Sequence, residues 1–377
     1  MRVCLDTSSL SFPPSGIRTY VDALIAELGR MPGEIDLSAV TPDSYGLPMT
    51  SRVPPRLSRF WWDAWAVGRA ANRTGADILH VPQFSLPFRT TMPVVVTIHD
   101  LIPITMAAYR RSTAMRAYLE VMRRTVQEAA VIIVPSGHVA SAASAMLGIE
   151  RQRIRIIPMA AHGSLVPTTD RESLPAGLKQ LGIDGPYVFN IAGFDVRKNL
   201  ACLLEAFAQF RQEAENPHKL VIAGAPHTGN HEIFPPVMPI VERLGLSDYV
   251  ILPGLVSEST KVALYQYAAM YVTPSLEEGF GMTCLEAMSC GVPTIAADRA
   301  SLPEVVGEGG LLVPPEPKSV AEAMLSIDQG MAFADELRVR GLVQAAKFSW
   351  SETAKQTVGA YEVATGSERY CSASQPR

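Results

Sequence analysis

Residues 275–293 read SLEEGFGMTCLEAMSCGVP and hold the side chains best suited to chemistry. Glu278 and Glu286 stand eight positions apart around two glycines, Gly279 and Gly281. An apolar strand ends at Pro274, the glycines permit a tight loop, and a short helix over about 282–290 is stopped by Gly291 and Pro293. A helix that opens after small residues presents unpaired N–H groups and the positive end of its dipole, which suits a phosphate. Carboxylates repel bound phosphate, so the two glutamates fit neutral hydroxyls better, Glu286 those of a ribose and Glu278 those of a sugar. Spacing alone serves a helix face with two solvated glutamates equally well.

Such a loop needs a rigid scaffold. The chain has 377 residues, enough for about two domains. Apolar strand-sized runs at 2–5, 78–81, 94–98 and 131–135 alternate with helix-compatible sequence, including 114–129 and the repeat Tyr20, Leu24, Ile25, Leu28. The plan recurs at 187–192, 219–223, 250–252, 271–274 and 294–297. Alternation of this kind predicts parallel sheets covered by helices on both faces, with ligands at the carboxyl ends of the strands. We read a first domain over 1–166, a polar, proline-containing linker over 167–178 and a second domain over 179–347. A helix over 348–365 returns to the first domain, and 366–377 is a frayed tail. The cleft between the halves is the expected active site.

Composition narrows the function. Thirty-three basic against thirty-seven acidic residues give a formal charge of −4, which offers no electrostatic case for nucleic acid. Hydrophobic residues reach 47% and charged ones only 19%, so a large interior is expected and disorder is excluded for most of the chain. No run approaches the ~18 apolar residues of a membrane-spanning helix, and Asp6 interrupts any signal-peptide core. Five cysteines, scattered and without a C-x-x-C pair, suggest neither disulfides nor a zinc site. A cytoplasmic protein is expected.

Glu278 to Glu286, followed by AMSCGVPTIA and by SLPEVV from Ser301, resembles the E-x7-E signature of retaining GT-B glycosyltransferases of family 4, and the similarity extends along most of the chain. The resemblance implies an α/β GT-B fold, two doubly wound Rossmann-like domains facing across a cleft. The second domain would hold a nucleotide-diphosphate sugar. Residues 193–199, GFDVRKN, look like the family's donor-phosphate segment, with Arg197 and Lys198 at the matching positions. Many members carry a further, more N-terminal Arg there, where this chain has Ala192 and Gly193. Residues 96–103, VTIHDLIP, resemble the segment that places a His, here His99, over the donor sugar. Ser15 and Gly16 match the glycine loop, in which Ser15 replaces a frequent glycine, and 252–257 looks like the base-contacting loop that includes Val256.

The resemblance therefore implies His99, Arg197, Lys198 and Glu278 as catalytic. Donor contacts fall to Ser15, Gly16, Gly193, Val256, Phe280, Gly281, Met282, Thr283 and Glu286. No Asp-x-Asp occurs, so neither a metal nor a cofactor is expected, and Arg and Lys supply the positive charge toward a nucleotide-sugar co-substrate. The HDLIP and GFDVRKN blocks are similar to bacterial polysaccharide mannosyltransferases, which points to GDP-mannose, with UDP-glucose or another nucleotide sugar as the alternative. The resemblance implies a glycan or lipid-linked glycan as the acceptor.

Other classes fit less well. A dinucleotide fingerprint fails because Cys284 holds the third glycine position, and no P-loop is present. A glycoside hydrolase leaves Arg197 and Lys198 without a role, whereas a silent nucleotide-sugar-binding scaffold keeps every motif. His80 either shapes the acceptor side or caps a strand. The cluster Arg56, Arg59, Trp61, Trp62, Trp65, Arg69 and Arg73, with Arg110, Arg111, Arg116, Arg123 and Arg124, suits peripheral contact with the inner membrane face. The preferred reading is a buried amphipathic helix whose tryptophans fill the first domain's core.

Overall fold

The computed structural model describes residues 1–11, 16–31, 33–42, 61–85, 87–110, 113–170, 173–215, 217–224 and 229–366. The chain divides into two compact units, Met1–Met159 together with Trp350–Arg377, and Ala160–Ser349. Each is built on a six-stranded, wholly parallel sheet with helical connections.

In the first unit the strands are β1 (Arg2–Asp6), β2 (Asp36–Val40), β3 (Ile78–Val81), β4 (Val94–Thr97), β5 (Val131–Val134) and β6 (Ile154–Ile156), in the order β2-β1-β3-β4-β5-β6. In the second they are β7 (Tyr187–Ile191), β8 (Lys219–Ala223), β9 (Val250–Gly254), β10 (Met270–Thr273), β11 (Thr294–Ala297) and β12 (Leu311–Val313), in the order β12-β11-β10-β7-β8-β9. Strand order reverses between β1 and β3 in one sheet and between β10 and β7 in the other. Connections leave in opposite directions at these points, which opens a crevice beyond the strand ends.

Inner strands such as β3, β4, β5 and β10 are buried at every residue. Helices cover both of their faces, so they read as continuous apolar runs and are legible in the sequence. The strands β2, β6 and β12 lie at sheet edges and are half exposed; β2 and β6 are interrupted by polar residues, and β12 is an apolar run of only three residues. They are additions to the expected strands.

Two boundaries shift. The first unit closes at Met159, and Leu165 packs with Ile183, Tyr187 and Tyr265 in the second unit's core. Leu178, within the expected linker, sits in the same core on the short helix Ala176–Gln180. The expected linker thus hides one apolar anchor and directly follows another. The helix Trp350–Thr365 belongs to the first unit and packs on the helix Gly16–Leu28 and on β3, β4 and β5. Residues 367–377, the bulk of the expected tail, lie outside the described residues.

Candidate active site

β7 and β10 are neighbours, so the loops that leave them at the switch point emerge side by side. The β7 loop makes one 3-10 turn, Val196–Lys198, capped by Asp195, whose carboxylate accepts the Arg197 N–H at 3.2 Å. Asn199 leaves that turn through left-handed backbone at φ 53° and donates its side-chain amide to the Pro274 carbonyl at 3.2 Å. The Leu276 N–H donates to the Arg197 carbonyl at 2.7 Å. These bonds stitch together two loops some eighty residues apart in sequence.

The stitching brings three expected residues into one cluster. Glu278 accepts from Arg197 at 2.8 Å and from Lys198 at 2.5 Å, while Arg197 also pairs with Asp195 at 3.1 Å. Burial pulls the Glu278 carboxyl upward, but the Lys198 and Arg197 charges outweigh it and hold the group below the usual carboxylate range. Glu278 therefore stays ionised and serves as a hydrogen-bond acceptor rather than a proton donor. Ser301 fixes the backbone beneath it, donating to the Glu278 carbonyl at 2.9 Å.

The helix Met282–Ser289 follows directly. Its cap, Gly281, has φ 102°, and a Cβ there would lie 2.7 Å from Leu302 Cδ2, so glycine is required on two counts. Met282 and Thr283 are half buried in the first turn, whose leading N–H groups have no partner within a helix. The Phe280 side chain is buried against Phe348, with ring centroids 5.8 Å apart, so only its backbone is available to a ligand. Gly193 is exposed beside Asp195, and Val256 is half buried just beyond β9.

Glu286, one turn into the helix, is buried and doubly held. The Tyr265 hydroxyl donates to it at 2.8 Å, and Lys261 Nζ lies 3.5 Å away while also pairing with Glu258 at 2.6 Å. Burial pushes the Glu286 carboxyl up, and the Lys261 charge and the Tyr265 hydroxyl partly offset this. Sequence reading missed Asp195, Tyr265 and Lys261. Asp195 carried a capping signal, but the other two stand 21 and 25 residues from their partner. Gly224, at the end of β8, was also missed: at φ 136° its Cβ would meet the Ala192 carbonyl oxygen at 1.9 Å.

In the first unit, His99 follows β4 and donates Nε2–H to the Pro82 carbonyl at 3.2 Å, which leaves Nδ1 as an acceptor. The Tyr20 ring packs edge-on at 4.9 Å. Burial lowers the His99 pKa to about 4, against the opposing Pro82 bond, so the ring is neutral near pH 7. It borders a small pocket of about 110 Å³ together with Ile17, Phe84, Asp100 and Leu101. Gly16 opens the helix next to Ile17, and Ser15 lies outside the described residues.

His80 is fully buried between the Tyr361 hydroxyl at 2.7 Å and Thr97 at 2.8 Å. It is a satisfied core histidine, and its ligand-side reading is withdrawn. Nearby, Asp6 accepts from Trp62 at 3.1 Å and Gln83 at 3.4 Å, and Gln83 reaches Asp63 at 2.8 Å. Only Trp62 fills the core as expected of all three tryptophans. Trp61 and Trp65 are 45% and 41% exposed, and Trp65 packs on the equally exposed Phe88. The stretch 56–60 of that aromatic cluster lies outside the described residues, as does Arg111. Among the described residues no three His, Cys, Asp or Glu converge as a metal site, and no helix is long and apolar enough to cross a membrane.

Two family models cover most of the chain. One, described as Glycosyltransferase Family 4, matches residues 14–161, and the other, Glycosyl transferases group 1, matches residues 158–337. The O-antigen chain mannosyltransferase B of Escherichia coli is 31% identical over 288 residues, 76% of this chain and 74% of that protein. The serotype-specific mannosyltransferase WbdA of Escherichia coli is 28% identical over 278 residues, which make up 73% of this chain but 33% of that relative. Among solved structures, sucrose-phosphate synthase from Thermosynechococcus elongatus matches with a TM-score of 0.78 at 20% identity, over 97% of this chain and 100% of that one. Anabaena HepE in complex with UDP and glucose matches at 0.74 and 18%, over 96% and 99%. The fold and the paired sheets define a GT-B glycosyltransferase. Within that class, the chain belongs to the group 1, family 4 glycosyltransferases.

Proposed function

We propose that the chain transfers mannose from GDP-mannose, with retention of anomeric configuration, onto a glycan or lipid-linked glycan during polysaccharide assembly. The observation that carries this reading is the meeting of Arg197, Lys198 and Glu278 beside the N-terminus of the helix Met282–Ser289. Arg197 and Lys198 stabilise charge that develops on the departing diphosphate, as do the N–H groups at 281–283. Glu278 aims both cations and offers its remaining lone pairs to sugar hydroxyls. Glu286 accepts from the ribose, and neutral His99 accepts a sugar hydroxyl at Nδ1. Positive charge comes from side chains, so turnover needs no divalent metal.

The choice of mannose is supported by the mannosyltransferases similar to this chain. A UDP-glucose donor is the second reading, supported by the solved neighbour that holds UDP and glucose. We place the protein in the cytoplasm, with the exposed Trp61, Trp65 and Phe88 beside Arg69 and Arg89 resting on the inner membrane face. Flotation with anionic vesicles tests that contact, and its absence in wild-type protein removes it.

A thermal-shift panel of GDP, UDP, ADP and dTDP, with and without EDTA, tests the donor. A ligand at 100 times its Kd adds about 2.7 kcal/mol to a folded state that binds it. A selective GDP shift unchanged by EDTA is the expected result. A UDP-selective shift moves the assignment to the second reading, a shift without turnover favours a silent scaffold, and no shift in folded protein overturns nucleotide-sugar binding in both.

A further inference from the structure

The helix Glu258–Gln266 places Lys261 and Tyr265 four residues apart, on one face. Both reach the same carboxylate from that face. The Tyr265 ring is locked edge-on against Phe189 at 5.0 Å and packed beside Tyr271 at 5.7 Å. Its hydroxyl lies 2.8 Å from Glu286 Oε2 and 3.3 Å from the Thr283 carbonyl, so one group ties the side chain to the first turn of its own helix. Lys261 Nζ lies 3.5 Å from the other oxygen, Oε1, with Glu258 as its second partner.

A carboxylate has about four lone-pair sites, two on each oxygen. Tyr265 occupies one on Oε2 and Lys261 one on Oε1. One site on each oxygen is left over, and two acceptors side by side on one rigid carboxylate match two adjacent O–H donors, a vicinal diol. We infer that Tyr265 and Lys261 clamp Glu286 so that its two remaining lone pairs receive the 2′ and 3′ hydroxyls of the donor's ribose, which makes both of them positioning residues for nucleotide recognition. This deepens the role of Glu286 proposed above and rests on it.

Two features set the clamp apart from simple packing. Each partner addresses a different oxygen, which fixes the carboxylate plane as well as its position. The bonds also counter burial, which by itself favours the neutral acid and would turn one acceptor into a donor. The charged and titratable neighbours of Glu286 are Lys261, Tyr265, Glu258 and Tyr271.

The test pairs protein variants with nucleotide variants. Affinities of GDP and 2′,3′-dideoxy-GDP, and of UDP and 2′,3′-dideoxy-UDP, are measured by calorimetry for wild type, Tyr265→Phe, Lys261→Met and Lys261→Arg. For the base that binds, wild type is expected to prefer the ribose form at least tenfold. Tyr265→Phe and Lys261→Met each weaken ribose-form binding about five- to thirtyfold and leave the dideoxy form unchanged, while Lys261→Arg keeps most of the preference. In turnover the same variants raise donor KM with kcat within about twofold. Equal weakening of both nucleotide forms, or no weakening of either, overturns the clamp and leaves Tyr265 as packing. A wild type that binds both forms equally overturns the ribose role of Glu286 itself, and the clamp with it. Melting temperatures of the variants identify any that fail to fold, and Lys261→Met, at a less buried position, carries the test if Tyr265→Phe is one of them.

Discussion

At the carboxyl end of the first unit's sheet, His80 and His99 are held neutral by burial. At the same end of the second unit's sheet, Glu278 is held ionised by its ion pairs with Arg197 and Lys198. Both arrangements remove titratable groups from water, and they differ in what replaces the water. His80 meets only hydroxyls, which stabilise a neutral ring, whereas Glu278 meets two cations, which stabilise its anion. A parallel sheet supplies the same geometry to both. The side chains placed at its rim decide whether desolvation or pairing sets the charge.

The largest effect we expect is on turnover. Lys198→Ala and Arg197→Ala should each lower the transfer rate about 10²- to 10³-fold, the range for losing one group that stabilises developing charge. His99→Ala, in the neutral unit, should lower it less. Initial rates at saturating donor check this order, and a Lys198→Ala enzyme with wild-type rate would break the contrast between the units.

Acid should separate the units next. A histidine whose folded pKa is depressed is protonated first in the unfolded chain, so stability falls as pH drops below the unfolded value. For His80 that window runs from about 6.5 down to its folded value of about 3. A shift of that size corresponds to a loss on the order of 5 kcal/mol. For Glu278 the folded pKa is lowered, so its contribution is present above the ordinary carboxylate value and lost only as pH falls below about 4. All four tryptophans, 61, 62, 65 and 350, belong to the first unit, and their fluorescence reports on it alone. Fluorescence should respond to acid before hydrogen exchange at β7 and β10 does. His80→Asn should delay the first event and leave the second in place.

The glycines of the two sites give a smaller test. Gly281→Ala meets both a left-handed φ and the Leu302 methyl and should cost about 1–3 kcal/mol. Gly16→Ala meets nothing within 4 Å and should change stability by less than about 0.5 kcal/mol. Chemical melts of the two variants compare them directly. The smallest effect expected is from chelation: excess EDTA should leave turnover unchanged, because Arg197 and Lys198 supply the charge that a metal would otherwise bring.

Much of the second unit's site was legible in the sequence because its signals are local. Gly281 marks a backbone turn that other residues adopt only with strain, the helix after it follows from its own residues, and the apolar runs of the inner strands announce a sheet buried on both faces. Edge strands such as β2 and β6 escaped because a strand covered on one side needs no continuous apolar run. The tryptophans misled because residue type does not say which face of a helix is outward: Trp62 points to the core, and Trp61 and Trp65, its close neighbours, do not.

By itself, the sequence determined the strand-and-helix plan, the glycine loop and the identity of the charged residues, since these depend on interactions within a few residues. Only the tertiary structure decided who meets whom. Glu278 pairs with Arg197 and Lys198, Glu286 meets Tyr265 and Lys261, and His80 disappears between Tyr361 and Thr97. Those partners lie 17 to 281 positions apart and come together because parallel strands deliver distant loops to one rim. Charge state follows from that company, which no local pattern records.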